Sequence, residues 1–132
     1  GDQVGWPAYV GQVAQAYRTL SADERRDAVV VTSNYGEAGA IDRFGPAFGL
    51  PAAISGQNEL FRQAQPPNRP VTLLAVGGGA VRVAGRNATC TVVARLDNGV
   101  GVSNEEQGQP VAVCRDAHQP WKAIWPQFQH LD

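Results

Sequence analysis

The sequence predicts an α/β fold: a small three-layer sandwich around a mostly parallel sheet, with a β-α-β core at residues 28–55 and antiparallel additions toward the C-terminus. Three observations predict it. The run Ala28-Val29-Val30-Val31-Thr32 is β-branched and apolar on both faces, the pattern of a strand buried between two layers. A capped helical stretch follows and leads to a second short apolar run, so a right-handed crossover joins two parallel strands. Val71-Thr72-Leu73-Leu74-Ala75-Val76 then supplies a third strand, the clearest in the chain.

Each element has its own warrant. Val10, Val13, Tyr17 and Leu20 form one apolar stripe at helical spacing, opened by Pro7 near the first turn. Ser21 and Glu24 have the spacing of a capping box, which predicts a short helical turn before the first strand. Asn34 and Glu37 repeat that spacing and start a helix over about Tyr35 to Phe44, ended by Gly45-Pro46. Leu50 to Ser55 reads as the second strand, and Pro66 to Pro70 as a stiff linker to the third. The triple glycine at 77–79 ends that strand. Cys90 to Leu96 is a fourth strand, Asp97-Asn98-Gly99 a turn and Val111 to Cys114 a fifth. Pro120 to Pro126 is an aromatic helical turn packed on the body, its tryptophans serving as core.

Composition narrows the function. The chain has 132 residues, 43% of them hydrophobic, enough for one globular domain spanning 1–132. Eleven basic residues against twelve acidic ones, with Lys122 the only lysine, give no positive field to gather nucleic acid or anionic lipid. The longest apolar stretch, Val71 to Val83, is broken by glycines and Arg82 and is shorter than a membrane span. The chain contains no methionine, so residue 1 is expected to be a cut or processing site and the domain a fragment of a larger protein.

In a parallel α/β sheet, ligands bind beyond the carboxyl ends of the strands, where helix N-termini converge. Three polar or glycine-rich segments meet that description: Ser33, Asn34, Tyr35, Gly36 and Glu37 after the first strand, Ser55, Gly56, Gln57 and Asn58 after the second, and Gly77-Gly78-Gly79 after the third. Hydroxyls and amides with one carboxylate and one aromatic ring suit a carbohydrate better than a phosphate. The same residues also suit capping and turn formation. The glycine run is not a nucleotide fingerprint, because Arg82 stands where a further glycine is required. Asp42-Arg43 reads as a solvated charge pair. His118 and His130 have no metal ligand or nucleophile at useful spacing, so no catalytic residue, metal or cofactor is expected. Asn87-Ala88-Thr89 matches a glycosylation sequon. Cys90 and Cys114 lie on strands that pairing can bring together: a cytosolic chain would keep them as buried thiols, an exported one would bridge them.

Beyond these readings, the run Val31 to Pro46 (VTSNYGEAGAIDRFGP), then Gly49-Leu50-Pro51 and Ser55-Gly56-Gln57-Asn58, resembles the C-terminal soluble domain of bacterial integral-membrane glycosyltransferases, the dolichyl-phosphate-mannose-protein mannosyltransferase-like and aminoarabinose-transferase-like group. Asn98-Gly99, Asn104 to Gly108, and Pro120-Trp121 through Ile124-Trp125-Pro126 are similar to that domain's closing segments, so the resemblance extends from about Ala28 onward.

The resemblance implies a parent that moves sugar from a polyprenyl-phosphate donor on the extracytoplasmic side of the membrane. Its catalytic carboxylates would belong to the membrane-embedded part of the same chain. The present piece would be an accessory domain touching that part, tethered by spans outside it, with a sugar or glycan acceptor as its ligand. An exported setting also implies that Cys90 and Cys114 form a disulfide. Family members usually carry histidine where Gln57 stands, so an acid or base role there is not expected. The alternatives are a self-contained small α/β enzyme with Glu37 or Asp42 as base, and a protein-interaction module.

Overall fold

A computed structural model of the chain describes residues 5–55, 67–99 and 104–131. Helix α1 (Trp6–Arg18) and helix α2 (Ala22–Asp27) precede strand β1 (Val29–Thr32), helix α3 (Tyr35–Phe44) and a 3-10 turn (Gly45–Phe48). Strand β2 (Ala53–Ser55), strand β3 (Leu73–Val76), helix α4 (Gly78–Ala84), strands β4 (Thr89–Arg95) and β5 (Pro110–Arg115), and a 3-10 helix (Trp121–His130) follow.

The five strands form one sheet in the order β2-β1-β3-β5-β4. β1 is parallel to β2 and β3, whereas β5 runs antiparallel to β3 and to β4. The α/β class, the parallel core and the antiparallel additions are therefore as the sequence predicts. Because side chains alternate across a strand, each central strand feeds two cores. Val30, Leu74, Val76, Val111 and Val113 pack with α1 and α3 on one face. Val29, Val31, Leu73, Ala75 and Ala112 pack with α4 and the C-terminal 3-10 helix on the other. Every residue of β1, β2 and β3 is buried, which explains their unbroken apolar runs.

The local signals largely hold. Ser21 and Glu24 form a complete capping box on α2, and Asn34 caps α3. β2 is shorter than Leu50 to Ser55: pairing with β1 begins only at Ala53, after Pro51, which has no N–H to give a ladder. The Asp42 carboxylate accepts from the Ala53 N–H at 3.1 Å, so this member of the Asp42-Arg43 pair fixes the start of β2. Helix α4 is an addition to the expected elements. Its apolar side, Ala80, Val83 and Ala84, is buried in the second core, which offsets the poor helix propensity of its leading glycines. The tryptophans are core, with Trp121 and Trp125 fully buried and the Trp121 indole N–H donating to the Val71 carbonyl at 2.7 Å.

Cys90 and Cys114 face each other in the β4–β5 ladder and form a disulfide. β4 is the free edge of the sheet, and its Val92 and Val93 are the exposed large aliphatics among the described residues. The ladder shifts register between Val92 and Ala94, the kind of bulge that twists an edge away from flat pairing. No described helix is long and apolar enough to cross a membrane.

Candidate functional site

The carboxyl ends of β1 and β3 lie side by side, since Thr32 pairs with Val76. The turn after β1 carries Ser33 to Glu37, and the turn after β3 carries Gly77. Their chemistry is mutual. The Ser33 hydroxyl donates to the Val76 carbonyl at 3.0 Å and accepts the Ala80 N–H at 2.9 Å, which ties the start of α4 to the start of α3. Gly77 sits between them at φ 93°, and a Cβ there would collide with Ser33 Oγ and lie 2.9 Å from Glu37 Oε2. The glycine amides are committed: Gly77 N–H donates to the Pro110 carbonyl and Gly78 N–H to Gln109 Oε1, both at 2.8 Å.

Asn34 Oδ1 accepts the Glu37 N–H at 2.8 Å, the expected N-cap. Glu37 does not complete a capping box. Its carboxylate reaches one residue further back and accepts the Ser33 N–H at 2.8 Å, because the side chain turns inward instead of lying along the helix surface. Only 2% of Glu37 is exposed. Trp6, Tyr9, Ile41, Val76 and Leu96 surround the same space beneath α1. This burial, followed by a hydrogen bond to Glu106 and its negative charge, pushes the Glu37 carboxyl up to about 9, so Glu37 holds its proton at neutral pH.

Glu106 is the partner that the linear spacing does not reveal. It belongs to the turn before β5, is 7% exposed, and its Oε1 accepts from Asn34 Nδ2 at 3.2 Å. Among the described residues, no N–H or hydroxyl serves Glu106 Oε2. The Tyr9 hydroxyl donates to Asn104 Oδ1 at 3.0 Å, and that oxygen also accepts the Glu106 and Gln107 amides. The turn is thus fastened to α1 as well as to α3.

The structure brings Ser33, Asn34, Tyr35 and Glu37 together and sets Ser55 beside them through the Thr32–Ser55 pairing of β1 and β2. Gln57 and Asn58 lie outside the described residues. Among those described, Tyr35 faces solvent, 59% exposed, Ser33 and Asn34 are half-buried, and Ser55 is buried. The edge therefore offers one open aromatic ring beside a hydroxyl and an amide that are engaged within the turns.

At the opposite end of the parallel strands, a groove of about 390 Å³ is lined by Asp23, Glu24, Asp27, Arg69, Thr72 and Asp116. Its charges are largely paired: Arg69 meets Asp27 at 3.0 Å, and Arg115 meets Glu24 at 2.7 Å. The Arg115 hydrogen bond, helped by the Ser21 amide, holds the Glu24 carboxyl down at about 2. Among the described residues, no three His, Cys, Asp or Glu side chains gather as a metal site would require.

No protein-family model matches the chain, and comparison with curated proteins and with solved structures finds no match.

Proposed function

We propose that the chain is the extracytoplasmic accessory domain of a membrane glycosyltransferase that uses a polyprenyl-phosphate sugar. In this reading it holds a sugar or glycan acceptor at the strand-end edge, and the membrane-embedded part of the same protein performs the transfer. The observation that carries the binding surface is the exposed Tyr35 ring beside Ser33 and Asn34, at the edge where parallel sheets present ligand sites. A flat, open aromatic face suits the apolar face of a pyranose, while the neighbouring Ser33 hydroxyl and Asn34 amide are engaged with Val76, Ala80, Glu37 and Glu106. The disulfide supports a non-reducing compartment. The resemblance of the 31–58 region supplies the parent class.

Acid–base chemistry within this domain has less support. Glu37 has the raised proton affinity that marks many catalytic acids. Yet the neighbouring Ser33 hydroxyl donates its one proton to the Val76 carbonyl and accepts the Ala80 N–H. The arrangement joins two turns and presents no nucleophile to a substrate.

The test is titration of the chain with mannose and with 4-amino-4-deoxyarabinose, followed through the backbone amide resonances of residues 33–37. Saturable shifts that disappear in Tyr35→Ala, with the fold intact, support the reading. Shifts unchanged by that substitution, or none at high millimolar sugar, reject the site.

A further inference from the structure

The Ser33 hydroxyl and the Asn34 amide are engaged inside the turns, but two polar groups carried by aromatic rings at the same edge are not. Among the described residues, nothing bonds the Tyr35 hydroxyl or accepts the Trp6 indole N–H. Trp6 is half-buried and reaches the edge from the first turn of α1. Its Cζ2 lies 3.3 Å and its Cη2 3.5 Å from the point that a Cβ on Gly36 would occupy, one residue along from Tyr35. A single ring carbon separates Cζ2 from the indole nitrogen, so the N–H emerges on the side of the ring that meets α3. Trp6 also meets the Tyr9 ring edge to face, with centroids 5.7 Å apart and planes at 84°. Tyr9 is itself fixed by the bond from its hydroxyl to Asn104. The Trp6 ring is therefore wedged in place while its donor stays unspent. The other tryptophans differ: both are buried in the opposite core, where Trp121 donates to Val71.

We propose that Trp6 is a second ligand-contacting residue of this edge, which lays its open ring surface on the carbohydrate beside Tyr35 and donates its indole N–H to a sugar hydroxyl. The inference rests on the carbohydrate reading above and deepens it, because it assigns the polar recognition to Trp6 and Tyr35 instead of Ser33 and Asn34. Both rings pair an apolar face with one uncharged polar group at the rim. That combination matches a pyranose, whose C–H face lies next to hydroxyls, and lacks the cation that a phosphate calls for. Gly36 makes the arrangement possible, since a side chain there would push the Trp6 ring away from α3. Because the ring is already seated between Tyr9 and Gly36, binding has little rotamer freedom left to freeze.

The experiment is proton–nitrogen correlation spectroscopy of the 132-residue chain titrated with mannose, reading the backbone amides of residues 33–37 and the three tryptophan indole N–H signals together. The Trp6 indole signal should shift saturably with the same midpoint as the 33–37 amides, while those of Trp121 and Trp125 stay still. Trp6→Phe keeps a ring against Tyr9 and removes the donor, so it should weaken mannose about fivefold, the worth of one neutral hydrogen bond. A merely structural Trp6 would instead lower the urea midpoint of that variant and leave its mannose affinity unchanged. Amide shifts without a Trp6 indole shift, or a folded Trp6→Phe with native affinity, would overturn the role of Trp6 and leave the Tyr35 site standing. No shift in any of these signals at high millimolar mannose would overturn both. If Trp6→Phe does not fold, the indole titration of the native chain decides by itself.

Discussion

Asn87 grips Gln119 by both halves of its side-chain amide: Oδ1 accepts the Gln119 N–H at 3.2 Å, and Nδ2 donates to the Gln119 carbonyl at 3.0 Å. The Asn87 carbonyl also accepts the His118 N–H at 2.8 Å. The side chain thus imitates a strand partner for the segment that leads to the C-terminal 3-10 helix.

Asn87→Ala should cost about 2 kcal/mol in urea unfolding, because two backbone groups lose partners in a site that is 2% exposed. Asn87→Asp keeps the acceptor and loses the donor, so it should fall between. The same burial keeps the Asn-Ala-Thr tripeptide from presenting its amide, and intact mass of chain secreted from a glycosylating host should show no glycan at Asn87.

Gly77→Ala should destabilise by about 3 kcal/mol, combining a left-handed backbone with a clash against Ser33 and Glu37. Gly39 is the control. It lies inside α3 with open space where a Cβ would go, and Gly39→Ala should stabilise by about 1 kcal/mol. Urea midpoints of the two variants should move in opposite directions.

The bridge between Cys90 and Cys114 closes a loop of sequence separation 24, for which chain entropy gives about 3 kcal/mol. Unreduced, denatured protein should yield no free thiol, and Cys90→Ala/Cys114→Ala should unfold at lower urea with its β4 amides exchanging fastest. Two titratable thiols in protein taken from an oxidising compartment would contradict this.

Acid should act through Glu24. Its carboxylate accepts from Arg115, Thr72 and the Ser21 amide, and is held at about 2 against an ordinary 4.5. A lowered carboxyl contributes stability above its unfolded value and loses it as pH falls through the folded one. The thermal midpoint should therefore drop between pH 4.5 and 2. Glu24→Gln, less stable at pH 6, should show a shallower drop over the same window.

The parts legible in the sequence are those whose causes are local. The β-branched run at Val29–Thr32 and the Asn34 cap each act within a few residues, and β1 and α3 appear where those signals put them. Helix α4 was hidden because three glycines read as a stop; its stability comes from burying Ala80, Val83 and Ala84 against strands distant in sequence. Glu106 was hidden for a similar reason. It meets Asn34 across 72 positions, and only the β1-β3-β5 order brings the two turns together. The spacing of Asn34 and Glu37 located a cap but could not tell that the Glu37 carboxyl turns inward, since that depends on Gly77 leaving room for it.

The division of the aromatic residues between the two cores has an optical consequence. Tyr9, Tyr17 and Trp6 belong to the layer of α1 and α3, whereas Trp121 and Trp125 belong to the opposite layer. Replacing Trp6 with phenylalanine would leave all indole emission on one side of the sheet and buried tyrosine absorption on the other. The two layers would then carry separate chromophores, and coincident loss of both signals would show that they come apart as one cooperative unit.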